Sequence, residues 1–239
     1  MLPLVRLLQL VSPALPVGAY TYSQGMEWAV EAGMVRSEAD AARWIGDLLE
    51  HGIGAFEAPL AARLLAAWTQ ADESEGGCGS DASEAEREIA ALNADFLASR
   101  ETAELRAETV QMGYSLVRLL TGLPAFAGLP GWAARLEAVE EPAFPTAWTA
   151  AAAAWRVPPE EAIAAYLWAW AENQVMAAIK AVPLGQSAGQ RLLAGLGERI
   201  PALAERALAL PRAQWSNFSP ALAIASSRHE TQHTRLFRS

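Results

Sequence analysis

Leu4, Leu7, Leu8 and Val11 repeat at helical spacing and predict a first helix over Leu2 to Val11. Pro13, Pro16, Gly18 and Gly25 then predict a loop, unusual in also carrying Leu15, Val17, Tyr20 and Tyr22. A helix from Gln24 to about Glu31 follows, stopped near Gly33. Ser37-Glu38-Ala39-Asp40 reads as a capping box that opens a helix through Trp44, Leu48 and Leu49. Phe56 to Gln70 reads as a separate amphipathic helix with Pro59 in its first turn. Ser83-Glu84-Ala85-Glu86 reads as a second capping box, with helices to about Leu97 and from Arg100 to about Leu120. A Gly/Pro turn region, Gly122 to Gly131, precedes an Ala-rich helix from Phe144 to Trp155.

The most apolar stretch is Glu160 to Gln190. Pro158 and Pro159 precede it, and Glu160 and Glu161 sit where the positive end of a helix dipole favours carboxylates. From Ala162 to Val182 nearly every position is apolar, until Pro183 breaks the run. Such a helix must be wrapped by other helices or by lipid. Glu172, Asn173, Gln174 and Lys180 interrupt it and leave no span of about 18 uncharged apolar residues, so no membrane span is expected. Ser187 to Gly197 and Ile200 to Leu210 add two short helices. No stretch alternates with period two. The expected fold is all-α, with roughly ten helices around a central apolar helix at about 160–183. It is expected as one domain over 1–239, with a flexible loop at about 71–84 and a docking tail at about 216–239.

Composition narrows the function. The chain is 52% hydrophobic with nine tryptophans, enough for a real core. A net charge of −9 argues against non-specific nucleic-acid binding, which needs a basic face. Cys78 is the sole cysteine and lies in the acidic, Gly-rich segment 72–83, so no internal disulfide forms and a cytoplasmic location is expected. Acidic neighbours make that thiol a weak nucleophile. The apolar N-terminus carries Arg6 within its run and fits a signal peptide poorly. His51 reads as a surface or half-buried histidine. Glu101, Glu104 and Glu108 alternate with Arg100 and Arg106, which predicts local pairing on a solvated helix face. Lys180, the sole lysine, must reach water or a partner from an apolar helix.

The segment 216–239 is basic at Arg228, Arg235 and Arg238 and apolar at Leu222, Ile224, Leu236 and Phe237, the pattern of a docking tail. Its His229-Glu230-Thr231-Gln232-His233 matches the zinc-peptidase pattern. A zinc hydrolase would need both histidines on one helix face and a third ligand. Only six residues follow His233, and the one other histidine is His51, so a docking role is expected instead. A generic helical scaffold is the remaining alternative.

Four stretches carry a resemblance: LLQLVSPALPVGAYTYSQGMEWAVEAG, SRETAELRAETVQMGYSL, WAENQVMAAIKAVPLGQSAGQ and SSRHETQHTRLFRS. In this order they resemble the urease accessory protein UreF family from end to end. The resemblance implies a non-catalytic all-α adaptor with no cofactor of its own. It implies bridging of UreD (UreH) and the nickel-carrying GTPase UreG for nickel insertion into apo-urease. It also implies a homodimer and a C-terminal tail that orders on binding UreD/UreH. Tyr20, Lys180 and Arg235 match family positions tied to partner surfaces and GTPase recruitment. Glu27, Arg228 and Phe237 complete the expected partner-binding set.

Overall fold

The computed structural model describes residues 1–74 and 80–239, with side chains from residue 84 onward in the second span. Cys78 and the middle of the loop expected at about 71–84 lie outside the described residues. The elements are α1 (Leu2–Leu10), a 3-10 turn (Ala19–Thr21), α2 (Met26–Glu31), α3 (Glu38–Asp47), a π-helical stretch (Leu48–Glu57), α4 (Ala58–Glu73) and α5 (Ser80–Ala98). Then come α6 (Ala103–Gly122), α7 (Pro124–Ala127), α8 (Trp132–Glu137), α9 (Phe144–Ala154) and α10 (Pro159–Ala181). Last are α11 (Gln186–Gly197), α12 (Ile200–Ala209), a 3-10 turn (Arg212–Gln214) and α13 (Pro220–His229). No strand occurs among the described residues, and the chain is all-α as expected. No helix among them is long and apolar enough to cross a membrane.

Local signals place most helix starts. Ser37 caps α3, its hydroxyl accepting the Asp40 N–H at 3.2 Å while the Asp40 carboxylate accepts from Arg36 N. Proline stands in the first turn of α1, α4, α7, α9, α10, α12 and α13, where its missing N–H costs nothing. Four expectations change. The break between Leu49 and Phe56 is absent, because a π-helical stretch carries α3 into α4 without interruption. Helix α5 begins at Ser80, so Ser83 lies inside it and not at its cap. The Gly122 to Gly131 turn region contains α7, and α8 follows it. The tail contains a formed helix, α13.

Two apolar clusters fill the molecule. One is built from α1, α4, α5, α6, α7, α8 and α9 around Trp68, Phe96, Phe126 and Trp148. The other is built from α2, α3, the π-helical stretch, α10, α11, α12 and α13 around Met26, Ile45, Leu49 and Leu167. Helices α4 and α10 belong to both. Leu60 and Leu64 of α4 face the first cluster while Ala58 and Ala61 face the second. Likewise Tyr166 of α10 faces the first cluster and Ile163, Leu167 and Val175 the second. This is why α10 is apolar around most of its circumference. The loop before α2 lies beside the C-terminal half of α10, where its polar residues occur: Asn173 donates to Tyr22 O at 3.3 Å, and Lys180, in the last turn, reaches Tyr20 and lies over the ring of Phe237.

Candidate functional site

The site is a strap. After α13 the chain runs as residues 230–239 over α2 and the loop before it. Buried amide groups need acceptors, and here one carboxylate supplies two. Leu236 N and Phe237 N donate to Glu27 Oε1 and Oε2 at 2.6 and 3.0 Å. Glu27 can do this because it opens α2 beside the loop; its own N–H donates to Ser23 Oγ at 3.3 Å. Arg238 N donates to Thr21 O at 2.8 Å. Ser23 closes the end, its N–H and Oγ both donating to Ser239 O at 2.8 and 2.6 Å. The Ser239 hydroxyl donates to Glu108 Oε2 at 2.6 Å.

His229 anchors the strap at its root. It is fully buried, with Nδ1 2.7 Å from Glu104 Oε2 and Nε2 3.3 Å from Glu27 Oε2. Arg235 reaches the other oxygen of Glu104. Phe237 is buried, and its ring lies 5.6 Å from Lys180 Nζ, within cation–π range. Lys180 Nζ also donates to Tyr20 O at 3.4 Å. The Tyr20 hydroxyl lies 3.5 Å from Glu172. Burial, reinforced by the Glu172 charge, pushes Tyr20 up to about 12. Of the residues singled out in the sequence, Tyr20, Lys180 and Phe237 therefore meet, while Glu27 and Arg235 join through His229 and Glu104. Glu27 and Phe237 are buried against the chain itself. Arg228 stands exposed in the last turn of α13. The tail that the resemblance expects to order on a partner is folded here onto its own chain.

Beneath the strap lies a polar interior. A cavity of about 80 Å³ is lined by Tyr20, Gln24, Glu57, Arg100, Glu108 and Glu172, among others. Tyr166 donates to Glu57, and Arg100 pairs with Glu57 at 3.4 Å. Burial, with the Glu57 charge, raises the Tyr166 hydroxyl well above its ordinary value. Gln24 holds a left-handed backbone at φ +52°. Its side chain donates to Glu108 and accepts from Trp170 Nε1, both at 2.8 Å. The adjoining Gly25 also has φ +78°, and a Cβ there would meet Ser226 N at 2.8 Å, so only glycine lets α13 approach. Burial pushes Glu108 up to about 7, partly offset by hydrogen bonds from Ser239 and Gln24.

The charges of α6, and Arg100 just before it, thus do not pair locally on a solvated face. Glu104 turns to His229 and Arg235, Glu108 to Ser239 and Gln24, Arg100 to Glu57, and Arg106 to Glu141. One signal for this was present in the sequence. Glu108 falls in register with Leu105, Thr109, Met112 and Leu116, the buried stripe of α6. The peptidase pattern also dissolves. Helix α13 ends at His229, and the turn that follows takes the exposed His233 out of helical register. Both nitrogens of His229 are engaged by carboxylates.

Thr102 ties α6 to the root of the strap. It caps α6 by accepting the Leu105 N–H at 3.2 Å, and its hydroxyl lies 2.7 Å from Ser226 Oγ of α13. Thr102→Ala is expected to cost about 1–2 kcal/mol, the range for a lost cap plus a buried hydroxyl partner. Urea unfolding measures it; a change under about 0.3 kcal/mol would mean that the cap is redundant.

Residues 35–197, which hold α3 through α11, match the family model of UreF. The chain belongs to the UreF family. It is 72% identical over 239 residues to the urease accessory protein UreF of Azoarcus sp. (strain BH72), covering 100% of this chain and 97% of that one. It is 60% identical over 238 residues to the urease accessory protein UreF of Dechloromonas aromatica (strain RCB), covering 100% and 98%. It is 48% identical over 239 residues to the corresponding protein of Methylobacillus flagellatus, covering 99% and 97%. The strap and the loop beneath it lie outside the span of the UreF model but inside all three of these full-length likenesses.

Proposed function

We propose that this chain is a non-catalytic adaptor of urease maturation. It holds UreD (UreH) and the nickel-carrying GTPase UreG together while the complex loads apo-urease, and it works in the cytoplasm as a homodimer folded as one domain. Nickel is the cargo of that complex. Membership of the UreF family supports the urease assignment. The observation that carries the adaptor reading is the meeting of exposed Lys180 with the Tyr20 loop and the buried Phe237 ring. Arg228 and Arg235 of the same tail are exposed, and aromatic and arginine side chains are what interfaces use as anchors.

Tyr20→Ala and Arg235→Ala are each expected to lower capture of the GTPase by about thirtyfold, the effect of losing one hot spot of about 2 kcal/mol. Pull-down from cells co-expressing the partners measures it, with thermal melting as the control for folding. Arg235 is exposed and its ion pair with Glu104 contributes about 1 kcal/mol at most, so the melt should barely move. Undiminished capture by both variants would reject the assignment of this surface.

A further inference from the structure

The apolar residues of the loop before α2 have a place in the structure. Leu15, Val17 and Ala19 line one side of the cavity of about 80 Å³. Phe144, Trp148 and Tyr166 line it too, packed on one another with ring centroids 5.5 to 6.0 Å apart. The same lining holds three carboxylates, Glu57, Glu108 and Glu172, and one guanidinium, Arg100. Arg100 balances them poorly. Two of its nitrogens donate to Ser99 Oγ at 3.2 and 3.0 Å, and the third reaches Glu57 at a long 3.4 Å. Glu172 has one marginal contact, from the Tyr20 hydroxyl at 3.5 Å. The cavity is rich in acceptors and short of positive charge.

A second observation is independent of charge. Asn173 and Trp148 both line the cavity, 8% and 0% exposed, and each has a polar atom without a partner. Asn173 Nδ2 donates to Tyr22 O, and its Oδ1 accepts from nothing; Trp148 Nε1 donates to nothing. Buried polar atoms left in this way are satisfied by bound water or by a ligand. The volume holds a few waters or a molecule of a few non-hydrogen atoms. Ser12, Ala19, Tyr20 and Glu172 are half-buried, so the cavity is reached beside the loop.

We infer that this cavity binds a small primary ammonium ion, whose N–H groups donate to Asn173 Oδ1 and to the cavity carboxylates while its alkyl group lies against the aromatic rings. Among the described residues no group of three or more His, Cys, Asp and Glu is placed to hold a metal ion, so the missing charge calls for a cation that binds through N–H donors. The aromatic faces favour such a cation as well. The remaining space takes the water that Trp148 Nε1 requires. The inference is separate from the adaptor reading, because the isolated chain tests it.

Proton–nitrogen correlation NMR of the isolated chain reads the cavity through the indole N–H signals of Trp148 and Trp170, assigned with Trp148→Phe and Trp170→Phe. At pH 8 and constant ionic strength, methylammonium chloride is expected to shift both signals with a midpoint of about 10 mM, near the limit for a ligand of two non-hydrogen atoms. Potassium and tetramethylammonium carry the same charge without an N–H donor and should leave both signals in place. Asn173→Leu removes the free acceptor and should weaken binding at least about tenfold. Glu172→Gln, at the half-buried rim, should weaken it about threefold. Far-UV circular dichroism checks that the variants are folded. In the wild-type chain alone, no saturable shift up to about 100 mM methylammonium, ten times the expected midpoint, overturns the inference and leaves a cavity that holds water. Equal shifts with potassium overturn it by showing a general counter-ion effect. So does binding undiminished in both folded variants.

Discussion

Gly113→Ala is expected to destabilise the fold by about 3 kcal/mol or more, the upper end for overpacking. In a helix interior alanine is favoured over glycine by about 1 kcal/mol, so propensity alone predicts the opposite sign. Packing decides it. A Cβ at Gly113 would stand 1.8 Å from Pro142 O, 2.8 Å from Pro142 C and 2.9 Å from Ala143 C. All three are backbone atoms that no rotamer change can clear. Moving them would shift Ala143, which caps α9, and with it the buried face of α9 against α4 and α6. Gly195 supplies the contrast: it also lies within a helix, and a Cβ there meets nothing within 4 Å, so Gly195→Ala should stabilise by up to about 1 kcal/mol. Urea unfolding separates the two, and the Gly113→Ala melt should fall by roughly 6–12 °C. Equal midpoints for both variants would mean that the α6–α9 contact yields freely.

Glu27→Ala is expected to release the strap while the helical body stays folded. Two backbone donors, Leu236 N and Phe237 N, lose their acceptor, and His229 loses one of its two carboxylates. Hydrogen bonds to charged groups contribute about 1.5–3 kcal/mol each. Strap amides should therefore exchange at least about a hundredfold faster. The body survives because its two apolar clusters depend on the strap only at Phe237. Glu27→Gln keeps one carbonyl acceptor and should fall between Glu27→Ala and wild type. If the adaptor reading holds, GTPase capture drops in parallel, since Lys180 and the Tyr20 loop lose the Phe237 ring beside them. Slow strap exchange in Glu27→Ala would show that Phe237 burial and the Thr21 and Ser23 contacts suffice alone.

The sequence by itself determined the all-α class, the positions of most helices and the apolar central helix. Each of these rests on signals within a few residues: period 3.6, a serine cap, a proline in a first turn. The resemblance to UreF was legible for a related reason, since it rests on four uninterrupted stretches. The tertiary structure alone decided where the charges go. Glu104, Glu108 and Arg100 are spaced for local pairing, yet each pairs with a residue 43 to 131 positions away. It also decided that Glu27 holds the strap and that His229 is sandwiched instead of ligating. A side chain on a helix meets whatever element packs there, and that choice is set by the burial of whole faces, a sum over the molecule that no local window contains.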